Sequence, residues 1–291
     1  MYSKDPLYRI FNGFNIVFLS ILSLVCVMPL VHVFAVSLSS NAAATANLVT
    51  FWPIGFNLDS YERTFGSPSF LHALQISVYR TVLGTALSML LCLLAAYPMS
   101  KEGSFFKGRT VYAWYFVITI LFNGGLIPTY IIVNETGLRN TIWALVLPGA
   151  VAVFNVVLMM NFFRGIPKEL DEAAQIDGAS HARILFTVYL PISMPSIATL
   201  SLFSIVSHWN SWFDGMIYME ADIQPLATMI QSLVKSLDYT RIGIDPTEVK
   251  RLSERSLRAT QIFIGALPVL VAYPFLQKYF VKGMTLGSVK E

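Results

Sequence analysis

Residues 171–191 read DEAAQIDGASHARILFTVYLP, a stretch rich in charge and small side chains that lies between two of the most apolar runs of the chain. Residues 140–163 before it and 184–213, which overlap its end, contain no Asp, Glu, Lys or Arg. Four further charge-free runs cover residues 10–58, 81–100, 110–134 and 259–277. Each supplies the about 20 mostly apolar residues that a helix needs to cross a bilayer at about 1.5 Å rise per residue. Six such helices buried in a water-soluble protein would need a larger core than 291 residues can enclose. Composition agrees: 55% of residues are hydrophobic and 13% charged, against about 25% charged in soluble domains. The chain reads as an all-α membrane protein with six transmembrane helices, near residues 14–36, 75–100, 110–133, 140–163, 189–213 and 259–280. Residues 1–13, 164–188, 214–258 and 281–291 then lie outside the bilayer.

Lysine and arginine orient the chain. With the amino terminus in the cytoplasm, the inside segments hold Lys4 and Arg9, then Lys101, Lys107 and Arg109, then Arg164, Lys168 and Arg183, and finally Lys278, Lys282 and Lys290. The first two outside loops hold only Arg63 and Arg139. That obeys the positive-inside rule and places both termini and residues 164–188 in the cytoplasm. The third outside segment, residues 214–258, runs against it with Lys235, Arg241, Lys250, Arg251, Arg255 and Arg258. Short loops close to span ends govern orientation, so the other loops decide. Arg80 falls at the outer edge of the second span, where a long side chain snorkels to the headgroups; a place in a polar pathway is the other reading. The run AAATA at 42–46 offers a small-residue cleavage site, but the apolar stretch before it exceeds the about 7–15 residues of a signal core, so it reads as a first span. Cys26 and Cys92 both fall within spans and give no disulfide framework. A net charge of +3 without a basic cluster gives no sign of nucleic acid.

The sequence offers no catalytic constellation. His32, His72, His181 and His208 are scattered, without a His-x-x-x-His pair or a glutamate at metal-ligand spacing. There is no Gly-x-Ser-x-Gly elbow and no phosphate-binding Gly-x-x-x-x-Gly-Lys-Ser/Thr loop. The spans also lack the Asp and Glu residues that mark proton or sodium coupling. No catalytic residue, metal site or cofactor is therefore assigned to this chain, and if it is a transporter its energy comes from another subunit.

The opening stretch is local structure in its own right. Pro167 suits a first helical turn, and Gly178 suits the left-handed residue that closes a helix. Between them PKELDEAAQID makes about three turns, with Lys168, Glu169, Asp171 and Glu172 near its start and Leu170, Ala173 and Ala174 on one narrow, small-residue face. Such a face suits close approach to another protein; an ordinary re-entry loop is the plainer alternative. Ser180 caps a second short helix leading to Leu190 and Pro191. Outside, Leu226, Met229, Ile230, Leu233, Val234 and Leu237 recur at helical spacing and predict an amphipathic external helix.

Glu172, Ala173 and Ala174, then three residues, Gly178, nine residues, Val188, one residue, Leu190 and Pro191: this pattern resembles the EAA signature of inner-membrane permeases of ABC importers. FNGGLIPTY, GLRNTIWALVLP, HWNSWF and YPFLQKYFVKGMTLGSVK are similar to the carbohydrate-importing, maltose-type subgroup, and the likeness runs over nearly the whole chain. The resemblance implies a maltose-type permease fold in which residues 164–188 carry a cytoplasmic coupling helix. Glu172 would anchor it on an ATPase, Ala173 and Ala174 would permit close seating, and Gly178 would turn the chain, with Asp171, Leu190 and Pro191 part of the same element. The implied partners are a second homologous permease, an ATPase dimer that binds ATP and Mg, and an extracellular or periplasmic solute-binding protein received by the outer segment.

The implied cargo is an oligosaccharide, with plant or algal ones, uronate-containing ones among them, as the leading option and maltose-like glucans or other glycans as the alternatives, and the implied location is the bacterial inner membrane. Sugars are held by hydrogen bonds and aromatic faces, so Trp209, Asn210, Trp212 and Phe213 at the outer end of the fifth span are pathway candidates. An interfacial aromatic belt is the alternative for the tryptophans. Asn123 and Asn155, polar at membrane depth, belong on interior faces, lining a path or bonding between helices. The competing function is a self-contained secondary carrier or channel for small polar solutes.

Overall fold

The computed structural model describes residues 6–102, 106–235 and 255–288. The described residues are mostly helical and contain no strand. The chain divides into two compact units: residues 1–70 with 232–267, and residues 71–231 with 268–291.

In the first unit, helix α1 (Pro6–Ser37) buries only Ala35, Val36 and Ser37, in its last turn. The rest of its apolar length faces outward, as a span in contact with lipid or a partner requires. After α1 the chain turns through α2 (Asn41–Thr45), capped by the Ser40 side chain, and α3 (Asp59–Phe65). The alanine-rich run that composition offers as a cleavage site is thus helical, with Ala43 and Ala44 buried beside Ala35, Val36, Val49 and Ala259. The start of the last helix, α15 (Arg255–Ser288), is tied to this cluster. Arg255 donates to the Ala44 carbonyl at 3.2 Å and to Asn47, Thr260 donates to the Ser37 carbonyl at 3.3 Å, and the Phe34 and Phe263 rings meet at a 35° tilt with centroids 4.7 Å apart.

The second unit begins within α4 (Pro68–Ser100), the other long uninterrupted apolar helix. It continues through α5 (Arg109–Leu121), α6 (Leu126–Glu135), α7 (Ile142–Val146), α8 (Val153–Arg164), α9 (Lys168–Ile176) and α10 (His181–Ile184). A π-helical turn, Leu185–Tyr189, joins α10 to α11 (Leu190–Ile192). Then come α12 (Met194–Asn210), α13 (Phe213–Tyr218), a 3-10 turn and α14 (Leu226–Lys235). Its main core joins α4 (Met89, Cys92, Ala96, Tyr97), α8 (Val156, Met159, Phe163), the π turn (Leu185, Tyr189) and Leu200 of α12.

The six charge-free runs all fall on helix, but not on six straight spans. Among the described residues two helices, α1 and α4, are long and apolar enough to cross a membrane alone, and two bent pairs raise the count to at most four. The third run breaks between α5 and α6, which bend by 112°, where Gly124 and Gly125 interrupt it; Gly125 has φ 84°. The fifth run bends by 84° at Ser193, between Pro191 and Pro195, each without a backbone N–H to continue a helix ladder. The fourth is divided between α7 and α8, around Pro148 and Gly149. Hydropathy windows register apolar length and not direction, so such breaks escape them. The amphipathic helix expected from Leu226 onward forms as α14; Leu237 and the rest of residues 236–254 lie outside the described residues.

Candidate coupling helix and polar cavity

The opening stretch folds as its local signals require. Pro167 stands at the N-cap of α9, with φ −55° and ψ 131°, and Glu169 and Asp171 lie in the first turn, where the helix dipole favours acids. The helix ends with Gly178 at φ 75°. Gly178 N–H donates to Gln175 O at 3.0 Å and Ala179 N–H to Ala174 O at 3.0 Å, the paired bonds of a Schellman closure. Ser180 then caps α10, accepting from Arg183 N–H at 3.4 Å.

The roll of α9 differs from the expected single face of Leu170, Ala173 and Ala174. Asp171, Ala174 and Gln175 turn inward: Ala174 packs on the main core, as do Ala179, Val188 and Leu190. Leu170, Glu172, Ala173 and Pro191 stay exposed, and Ile176 is 87% exposed. The cause is an ion pair that spans 70 positions. Lys101, one residue beyond α4, donates to Asp171 Oδ1 at 2.7 Å and to the Tyr189 hydroxyl at 2.8 Å, with its ammonium 4.4 Å from the Tyr97 ring centre. Gln175 donates to the other Asp171 oxygen at 3.2 Å. Lys101 and Asp171 side chains are 10% and 14% exposed, so the pair is held in a dry setting. Burial works to lower the Lys101 pKa, but the bonds to Asp171 and Tyr189 outweigh it and the ammonium sits above its ordinary value. A second pair, Lys168 with Glu102, is exposed, and its hydrogen bond and charge hold the Glu102 carboxyl below the usual range. Lys101 counts in the sequence only as a topogenic charge. Tyr189 sits inside the EAA pattern as its one unspecified residue before LP, and no local signal joins the two.

Towards the other end of α4 lies a cavity of about 590 Å³. Its polar lining comes from Arg80 and Ser88 of α4, Asn155 of α8, and Ser204, Ser207, His208, Ser211 and Asp214 along α12 and α13. Arg80 is 2% exposed and paired with Asp214, and it donates to the Ser211 carbonyl at 2.8 Å. It does not snorkel: its guanidinium is buried at the cavity wall between Asp214 and the Ser211 carbonyl. His208 approaches α4 so closely that a Cβ on Gly84 would lie 2.5 Å from its ring.

Of the residues singled out for a substrate path, Asn155 lines this cavity and is 6% exposed. The aromatic group stands beside it. Trp209 is buried on α12, Asn210 is exposed at the helix end, and Trp212 and Phe213 meet edge to face at 5.5 Å. The cavity wall takes Phe203, Ser204, Ser207 and His208 from one face of α12, then Ser211 in the break after it and Asp214 in the first turn of α13, and passes over 209, 210, 212 and 213. Asn123 lies exposed in the break between α5 and α6, where its side-chain oxygen accepts from Gly125 N–H at 2.8 Å. It serves the turn there, and does not face the interior.

Apolar helices of membrane-crossing length, an exposed EAA helix beyond one end of α4 and a polar cavity towards the other fit a transport permease. The chain belongs to the family described as binding-protein-dependent transport system inner membrane component, whose model matches residues 1–286. Protein LplC of Bacillus subtilis (strain 168) is 36% identical over 283 residues, covering 97% of this chain and 95% of that protein. The polygalacturonan/rhamnogalacturonan transport system permease protein YtcP of the same organism is 37% identical over 287 residues, covering 97% and 99%. Among solved structures, a bacterial ABC transporter involved in the import of the acidic polysaccharide alginate superposes with a TM-score of 0.85 at 29% identity, over 96% of this chain and 100% of that one. A bacterial alginate ABC transporter in complex with an alginate pentasaccharide-bound periplasmic protein shares the fold, with a TM-score of 0.53 at 16% identity. The EAA resemblance and the maltose-type permease fold are thereby borne out.

Proposed function

We propose that this chain is one of two permease subunits of an ATP-driven importer of oligosaccharides. A solute-binding protein delivers the cargo outside, and a cytoplasmic ATPase dimer that binds ATP and Mg drives the cycle through α9. The observation that carries this reading is the posture of α9: Asp171 and Ala174 fix it from behind, while Leu170, Glu172, Ala173 and the 87%-exposed Ile176 face out. Apolar residues presented on a clamped, polar helix outside the bilayer form a seat for another protein. The oligosaccharide class rests on relatives named for polygalacturonan, rhamnogalacturonan and alginate import. On this reading the six apolar runs make six membrane passages, some broken, with both termini in the cytoplasm and the segment from Asp214 outward receiving the binding protein.

The test uses the whole assembly. Tagged chain extracted in mild detergent should bring down a second permease and an ATPase; transport by the chain alone, with neither partner, would favour a self-contained carrier. Gly178→Val has room for its side chain, since no atom lies within 4 Å of a Cβ there, but the φ of 75° suits a β-branched residue badly. The variant should insert normally yet lose ATPase binding or uptake, whereas wild-type uptake would remove α9 from the coupling role.

A further inference from the structure

The cavity in the second unit holds an ion pair, Arg80 with Asp214. At about 590 Å³ it lies within the about 300–1,000 Å³ of small-molecule sites, and its wall includes Arg80, Asn155, Ser204, His208, Ser211 and Asp214. A guanidinium has five N–H donors. Arg80 directs Nη1 to Ser211 O at 2.8 Å and to Asp214 Oδ1 at 3.1 Å, and Nη2 to Asp214 Oδ2. Its Nε is buried and has no acceptor among the described residues. With Asp214 across the Nη1–Nη2 end, Nε and the second Nη2 proton make up the other two-donor edge of the fork, whose spacing matches a carboxylate.

Asp214 is equally prepared to let go. Besides Arg80 it accepts from Ser211 Oγ at 2.9 Å and from Gly215 N–H at 2.9 Å, and its side chain is 25% exposed. A pair serving stability alone has no use for an idle donor edge on one partner and a second set of donors on the other, and buried pairs are poor stabilisers in any case. We propose that Arg80 receives the carboxylate of an acidic, uronate-containing oligosaccharide in the transport path, with Asp214 as the resident anion that neutralises it between cargoes. The proposal rests on the oligosaccharide reading above and names its chemical class. With the cargo carboxylate on the Nε–Nη2 edge, Asp214 shares the guanidinium and keeps its hydrogen bonds from Ser211 and Gly215 and its part-exposed side, and the Asn155 and Ser204 side chains supply hydrogen-bond partners for sugar hydroxyls. Relatives named for polygalacturonan and for the acidic polysaccharide alginate fit such a site.

The experiment measures equilibrium binding of two probes by the purified, complete transporter without its binding protein. One is trigalacturonate, and the other is the neutral trisaccharide in which its carboxylates are reduced to hydroxymethyl groups. The wild type should bind the acid about tenfold or more tightly than the neutral sugar. Arg80→Gln alone strands Asp214, so the charge-balanced R80Q/D214N double variant is compared, with assembly checked by size exclusion; its acid-to-neutral ratio should fall towards one. Asp214→Asn, which removes the resident competitor, should tighten the acid probe, a gain that a merely structural role would not produce. Equal binding of both probes by the wild type, or an unchanged ratio in the double variant, overturns the Arg80 site and leaves the oligosaccharide reading standing. Binding of neither probe overturns both.

Discussion

Lys101 does more than count as one basic residue in a short loop. Its ammonium joins the end of α4 to Asp171 of α9 and to Tyr189 of the π turn. Lys101→Met keeps the bulk and removes the charge, leaving Asp171 desolvated with one donor fewer. A loss of about 1–3 kcal/mol in stability is expected, read as a lower melting temperature of the detergent-solubilised complex, together with ATP hydrolysis that no longer tracks uptake. Because the folded-state pKa of Lys101 is raised, its stabilising contribution is whole below the ordinary lysine value of about 10.4. It fades only as pH climbs through the raised value. The difference between wild type and K101M should therefore stay constant from about pH 6 to 9; a difference that vanishes inside that range would mean the clamp does not depend on the ammonium.

At the scale of elements, the sequence made α9 legible and its roll illegible. Pro167, the early acids and Gly178 are local signals, and they fix where the helix starts and stops. Which side faces in depends on a lysine 70 positions away, which no spacing rule reaches. The cavity shows the same division. Aromatic side chains drew attention to 209–213, but the lining is the Ser204, Ser207 and His208 face of α12, continued by Ser211 and by Asp214 at the start of α13, and it becomes significant only once α4 and Arg80 stand opposite. Gly84 is what lets α4 and α12 approach there. Gly84→Ala puts a methyl group 2.5 Å from the His208 ring and should cost about 1–3 kcal/mol as an overpacked contact. Pairing it with His208→Ala should recover most of that loss in the same melting assay; an additive further loss would show that the clash is not the cause.

For the whole molecule, apolar length was legible and direction was not. Six runs were readable from charge alone, yet glycines and prolines divide three of them into helices that turn, and Arg80 moved from an assumed interfacial anchor to a buried wall. Topology remains open to direct test. Periplasmic-active reporters fused after Asn57 or Glu220 should be active, and cytoplasmic-active ones after Lys101, Gly178 or Ser288 should be bright. Inversion at any of these sites would break the orientation argued from the basic residues. One further property follows from the 84° break. The buried Ser193, with Pro191 and Pro195 on either side, is where the segment carrying α10 and α11 meets the 17-residue α12. At about 1.5 Å per residue α12 is a lever arm of about 25 Å, so a turn of roughly 10° at Ser193 sweeps its far end, beside the cavity, through about 4 Å. A small change of angle at the Ser193 break is thus enough to shift the cavity end of α12 by about the length of one hydrogen-bond contact.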